Sequence, residues 1–276
     1  DFENYRYHLG PNVQVGNIYP VMYAKTFFDG MKEAGQEQIV NLLRCAWAGS
    51  QKYGALVWSG DIKSSFPSMK NQVAAGLNMG LAGIPWWTTD IGGFFGGHVE
   101  DENFRELLIR WFEYGAFCPV MRLHGYRMPY QPQYGTTGGA ACVSGAPNEI
   151  WSFGDQVYDI CRTYLDIREN LRPYTRELMK EAHEKGTPVM RPLFYDFPED
   201  KKCWEVETQY MYGKDILVAP VLYAKENQME VYLPEGEKWV NIWNGNIYEG
   251  GQTVVVDTPM DQIPIFTREG STLKIV

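Results

Sequence analysis

The sequence predicts an α/β fold: the C-terminal half of a (β/α)8 TIM barrel, followed by an antiparallel β-sandwich domain. Three observations carry this. Short apolar runs alternate with helical stretches through most of the chain, the pattern of parallel βαβ units. The runs are continuously apolar, as strands buried on both faces are, and each ends on a charged or polar residue. From Thr187 onward the texture changes to brief strand-like runs separated by Gly, Pro, Asn and Asp.

The elements follow in chain order. Within YPVMYAKTFFDGMKEA the apolar spacing suits a helix over Tyr19–Ala34. IVNLLR then forms a strand ending on Arg44, and ALVWSGD a second ending on Asp61, before a helix over Ser68–Met79. AGIPWWTTD ends on Asp90 and leads through Gly92-Gly93 to a helix over Glu102–Ala116. FCPVMRLHG ends on Arg122 and His124. The Gly/Pro/Tyr-rich stretch Tyr126–Pro147 reads as a loop, and one long helical pattern covers Glu149–Lys185. In a (β/α)8 barrel the C-terminal strand ends carry the site, so four such endings in series favour that architecture. An open doubly wound sheet competes with it, but no GxGxxG turn follows a strand to support a dinucleotide site. Four strand-helix units are half of what a closed barrel needs. PVMRPLFYDFP, DILVAPVL, QMEVYLP, KWVNIW, TVVVDT and QIPIFTREGSTLKIV supply the sandwich, which divides the chain into residues 1–190 and 191–276.

Composition narrows the function classes. Twenty-five Lys+Arg against 34 Asp+Glu give the 276-residue chain a net charge of −9, which argues against a nucleic-acid partner. No apolar run is long enough for a membrane-spanning helix. The five cysteines (Cys45, Cys118, Cys142, Cys161, Cys203) are scattered and form no CxxC, which points to small core residues in a reducing compartment and so toward the cytoplasm. Four histidines (His8, His98, His124, His183) show no metal-ligand spacing, and no cofactor motif is present. Nine Trp, 18 Tyr and 13 Phe supply either a large core or flat faces on which sugar rings stack.

Each strand ending has an ordinary structural explanation. Asp61 suits a helix N-cap or turn, Asp90 a turn before the two glycines, Arg44 a neighbouring ion pair, and His124 a satisfied core position. Together they are less ordinary, because a barrel brings all four to one rim. Two acids, a guanidinium and an imidazole, ringed by Trp58, Trp86, Trp87 and Phe94, describe a polyol pocket.

VWSGD, WWTTDIGGF and RLHG, in this order and spacing, strongly resemble glycoside hydrolase family 31, the α-glucosidases and α-xylosidases. The resemblance continues through RENLRPYTRELMKEAHEKGTPVMRPLFYDFP and YMYGKDILVAPV, and so covers essentially the whole chain. It implies retaining, exo-acting hydrolysis of terminal α-linked xylose or glucose from oligosaccharides, with no cofactor or metal. By the same resemblance Asp61 is the general acid/base, and Arg44 holds the acid/base region and substrate. Asp90 lies beside the sugar subsite, His124 hydrogen-bonds sugar hydroxyls with Arg122 near it, and Trp58 and Phe94 line the subsite. In such enzymes two carboxyls stand about 5–5.5 Å apart, one attacking the anomeric carbon and one protonating the leaving oxygen. Asp61 has to start protonated, which burial beside Trp58 and the nucleophile's charge both favour.

The family's nucleophile, an Asp in a Trp/Phe-x-Asp-x-x-Glu-like stretch, has no match in residues 1–40. Asp1 lacks a preceding strand and Asp29 lies within helical spacing. The expectation is a nucleophile upstream of residue 1 and a chain that is inactive alone, partnered by the rest of its own enzyme or by another copy. Sulfoquinovosidase, α-galactosidase, transglycosylase and α-glucan lyase activities share the scaffold. A non-catalytic carbohydrate-binding fragment or pseudoenzyme is the reading from a different class. Xylose and glucose differ by one CH2OH, worth only about 1–3 kcal/mol in an apolar pocket; the stretch DFENYRYHLGPNVQVGNIYP is closer to the α-xylosidase-like members.

Overall fold

The computed structural model describes residues 2–276, and Asp1 lies outside them. Helix α1 (Tyr19–Glu33) starts with Pro20 in its first turn, where the missing N–H costs nothing, and buries only Ala24. Its outward side carries Tyr19, Tyr23 and Phe27, four residues apart, with successive ring centroids 6.1 and 4.9 Å apart. Strands β1 (Asn41–Leu43), β2 (Ala55–Trp58) and β3 (Trp87–Thr88) then pair in parallel in that order. Between them, α2 (Phe66–Leu81) is capped by Ser65, whose hydroxyl accepts from the Ser68 amide at 3.3 Å.

The predicted fourth strand is reduced to a single parallel bridge, Ile91 to Leu123, and a bond from the Val120 amide to the Trp87 carbonyl at 3.1 Å. Pro119 offers no donor at one end and Gly125 releases the chain at the other, so the run is too short for a ladder. The presumed loop is partly sheet. Strands β4 (Phe95–His98), β5 (Tyr126–Gln131) and β6 (Ser144–Ala146) form a small three-stranded sheet. Its alternation is visible in hindsight, with Tyr126, Met128 and Tyr130 on the outer face of β5 and Arg127 buried on the other.

Helix α3 (Glu102–Ala116) buries almost every residue from Phe104 onward and is the central element. The single long helical pattern after it is two helices, α4 (Asp155–Asn170) and α5 (Arg172–Lys185), separated at Leu171. Pro173 causes the break, because it lacks an N–H and its ring clashes with the carbonyl of Glu169. Arg168 of α4 donates to the carbonyls of Ala116, Cys118 and Pro119 at 2.7–2.8 Å, tying α4 to the end of α3.

The remaining strands are β7 (Met190–Pro192), β8 (Tyr210–Tyr212), β9 (Ile216–Val218), β10 (Gln228–Leu233), β11 (Lys238–Asn241), β12 (Ile247–Glu249), β13 (Gln252–Asp257) and β14 (Ile265–Arg268). A six-stranded sheet of order β12-β11-β14-β9-β8-β7 and the pair β10-β13 are antiparallel throughout. The fold is therefore the predicted α/β barrel portion with an antiparallel β-sandwich. One core joins the barrel to the six-stranded sheet through Trp87, Trp111, Tyr114, Tyr164, Tyr210 and Tyr212. A second lies inside the sandwich around Leu217, Val231, Trp239 and Phe266. Arg110 of α3 reaches into the sandwich side, donating to the carbonyls of Thr258 and Pro259 at 2.6 and 2.9 Å.

Candidate active site

The site is assembled from the C-terminal ends of adjacent parallel strands. Arg44 follows β1 and Asp61 follows β2, and Arg44 Nη2 lies 2.6 Å from Asp61 Oδ2. Gly60 between Trp58 and Asp61 has φ +75°, and a Cβ there would lie 3.1 Å from Arg44 Nε. Glycine is thus needed both for the turn and for the passage of the arginine. Asp90 follows β3, and Arg122 from the next segment pairs with its Oδ1. Trp58, the last residue of β2, lies beside both guanidiniums, with Arg44 Cζ 6.0 Å and Arg122 Cζ 5.8 Å from its ring centroid.

The two carboxylates occupy different environments. Asp90 is fully buried, and burial pushes its carboxyl above the usual range; Arg122, His124 and Arg127 pull it back down, while Asp61 adds to the upward push. Asp90 Oδ2 and Arg122 Nε are both buried with no hydrogen-bond partner among the described residues. Asp61 is exposed, its side chain 38% accessible, so the burial expected beside Trp58 is not met by these residues alone. Arg44 is exposed as well. The reason is topological: β1 has no strand on its far side among the described residues, and Leu42 in it is 43% exposed.

Phe94 and His124 meet by ring stacking, centroids 5.4 Å apart, and Tyr126 and Tyr130 continue the column at 6.4 and 4.5 Å. The backbone places Phe94 there: its amide donates to the Ile62 carbonyl at 2.8 Å, and its carbonyl accepts from the Tyr126 amide at 2.8 Å. The geometry therefore gathers Arg44, Trp58, Asp61, Asp90, Phe94, Arg122 and His124 onto one rim. Trp86 and Trp87 do not join them. Trp87 is buried in the core against Gly76, and Trp86 lines a separate cavity with Ile39, Ala55 and His183. Residues within a strand alternate faces, so two consecutive tryptophans could not both have faced the rim. Asp29, set aside above for its helical spacing, lies on α1 and pairs with Lys25. Arg127 and Tyr126 were missed by the sequence reading; the signal available was the alternating YRMPY run directly after RLHG.

The model of the glycosyl hydrolases family 31 TIM-barrel domain matches residues 2–178, and that of the family 31 C-terminal domain matches residues 186–273. The chain belongs to glycoside hydrolase family 31. It is 35% identical over 268 residues to an α-xylosidase of Saccharolobus solfataricus, covering 97% of this chain and 34% of that protein. An α-glucosidase of the same organism is 34% identical over 263 residues, covering 95% and 35%. The crystal structure of a family 31 α-xylosidase from a soil metagenome, complexed with xylose, superposes with a TM-score of 0.95 at 58% identity, covering 99% of this chain and 41% of that one. The chain thus spans about a third of the length of these curated relatives. Among the described residues no helix is long and apolar enough to cross a membrane.

Proposed function

We propose that this chain carries the acid/base and sugar-binding part of a retaining, exo-acting α-glycosidase that releases terminal α-linked xylose. The observation that carries the reading is the convergence of two carboxylate–arginine pairs, Asp61–Arg44 and Asp90–Arg122, with Trp58 beside both guanidiniums, at the C-terminal ends of adjacent parallel strands. Trp58 and Phe94 offer the ring faces and His124 a further polar group. Asp61 protonates the glycosidic oxygen as a nucleophilic carboxylate attacks the anomeric carbon, and the leaving alcohol departs with that proton. Asp61 then takes a proton from the water that attacks the glycosyl-enzyme, which restores the carboxylate nucleophile and retains configuration.

The nucleophile in this proposal stands on a strand beside β1, outside residues 2–276, and the same cover desolvates Asp61. The 276 residues alone then bind sugar without turning it over. The unpaired edge of β1 and the exposed Leu42 support this. Xylose is preferred over glucose on the 58% identity to the xylose-complexed α-xylosidase. Five free cysteines fit a reducing, cytoplasmic setting.

The test is turnover of 4-nitrophenyl α-xyloside, α-glucoside and α-galactoside by the complete enzyme and by its Asp61→Asn variant. General acid–base catalysis contributes about 10²–10⁴-fold, so Asp61→Asn should lose turnover on this scale, and azide, which needs no base to attack, should restore part of it. A variant as active as the parent on all three substrates refutes the assignment of Asp61. Turnover by the 276 residues alone refutes an external nucleophile.

A further inference from the structure

Arg127 has a guanidinium that is fully buried and, among the described residues, makes no hydrogen bond to a carboxylate. Burial draws its pKa down to about 10. A buried charge survives only when hydrogen-bonded, and this one is saturated. Nη2 donates to the Ile91 and His124 carbonyls at 2.9 and 3.5 Å, and Nη1 to the Gly93 and Gly96 carbonyls at 2.8 and 3.4 Å. Nη1 also reaches Ser64 Oγ at 3.3 Å, and Nε donates to Asn148 Oδ1 at 2.7 Å. The Phe104 ring lies under it, centroid to Cζ 4.9 Å.

These acceptors have a pattern. Ile91 and Gly93 bracket the turn between Asp90 and Phe94, and the His124 carbonyl belongs to the other motif of the rim. Two motif glycines make room for the guanidinium: a Cβ on Gly125 would lie 2.3 Å from Arg127 Cζ, and one on Gly92 would lie 2.9 Å from Nη2. The final glycine of RLHG is explained by a side chain outside both motifs, and the first of DIGGF, which its φ of +85° already favours, leaves room for the same side chain. We infer that Arg127 is a positioning residue for the sugar site: its planar fork clasps the Asp90–Phe94 turn and the His124 backbone into one arrangement. The neighbouring Tyr126, on the opposite face of β5, steadies Phe94 by stacking. Lysine cannot substitute, because a point charge has no planar fork for four carbonyls on two segments.

The inference rests on the sugar site proposed above, so the experiment separates the two. Arg127→Ala, Arg127→Lys, the milder Asn148→Ala and the reference Asp90→Asn are made in the complete enzyme. They are read by kcat and KM on 4-nitrophenyl α-xyloside and by amide hydrogen exchange. Misplacing reacting groups by about an ångström costs on the order of 100-fold, so Arg127→Ala should lose about that in kcat/KM, mainly in kcat. Millimolar guanidinium should restore part of the loss, and Arg127→Lys should stay impaired. Exchange should quicken at Ile91, Gly93 and Phe94 and stay unchanged over Tyr210–Val218. Asn148→Ala should show the same pattern more weakly, and it decides the question if Arg127→Ala does not fold. Retention of kcat/KM within about threefold, or exchange that rises equally in the sandwich, overturns the inference, since loss of position costs about 100-fold. Full activity in Asp90→Asn would refute the site instead, and the exchange pattern would still decide whether Arg127 holds the turn.

Discussion

Replacing Glu113 by Gln should stabilise the protein near neutral pH and slightly destabilise it in mild acid. Glu113 is fully buried in α3 with Oε2 3.1 Å from Arg110 Nη1, while its Oε1 has no partner among the described residues. Burial pushes its carboxyl up to about 8 even though Arg110 pulls it down. The folded protein therefore keeps this proton up to about 8, whereas the unfolded chain releases it near 4.5. Unfolding then releases a proton, and stability falls as pH rises between these values. At about pH 7 the penalty spans about 2.5 units at 1.36 kcal/mol each, roughly 3 kcal/mol; at about pH 5 it is less than 1. Gln keeps the shape and removes the titration but gives up about 1 kcal/mol of hydrogen bonding to Arg110. The net expectation is a gain of about 2 kcal/mol at about pH 7 and a small loss at about pH 5, read from urea unfolding midpoints. A loss of about 3–5 kcal/mol at about pH 7 would show that Glu113 is ionised and paired with Arg110, and would refute the reasoning.

Other outcomes follow from single contacts. Gly76→Ala places a Cβ 2.7 Å from Trp87 Nε1, and overpacking should lower stability by about 1–3 kcal/mol in thermal unfolding despite alanine's better helix propensity. Arg122→Met leaves the buried Asp90 carboxylate without its ion pair, costing about 3–5 kcal/mol, and the double variant with Asp90→Asn should recover much of that loss. Trp58→Ala removes the ring beside both guanidiniums; at about 0.5–1 kcal/mol per contact, stability should fall by about 1–2 kcal/mol in urea unfolding.

Much of the rim was legible because parallel βαβ architecture sends every strand end to the same side. Once ALVWSGD and AGIPWWTTD read as strands, the convergence of Asp61 and Asp90 followed from topology alone. The failures were local. Trp86 and Trp87 look like sugar platforms by type, but side-chain alternation and the gap at Gly76 consign Trp87 to the core. The β5 strand was hidden because Pro129 and the surrounding glycines carry a loop signature stronger than a six-residue alternation. The break at Leu171 was available from Pro173 and was overridden by the apolar periodicity on either side. Arg127 was beyond a reading by residue type, because its hydrogen bonds go to backbone carbonyls and to Ser64 and Asn148, which no sequence motif marks.

The lateral spacing of the sheet explains how the site's charges are paired. Each carboxylate takes an arginine from the neighbouring strand end, Asp61 taking Arg44 from the segment after β1 and Asp90 taking Arg122, the residue just before the bridge at Leu123. Neighbouring strands lie about 4.8 Å apart, a distance a guanidinium spans readily, and Trp58 lies near both arginines. The chemistry of the pairs is the same, and their environments are opposite. Asp90 is fully buried and is held above the usual carboxylate range by that burial, whereas Asp61 sits one strand from the edge strand β1 and is open to water. A general acid that must both give and take a proton needs an environment that changes during the cycle. In the proposed mechanism the nucleophile's charge supplies that change, since it stands beside Asp61 before the attack and is consumed when the glycosyl-enzyme forms.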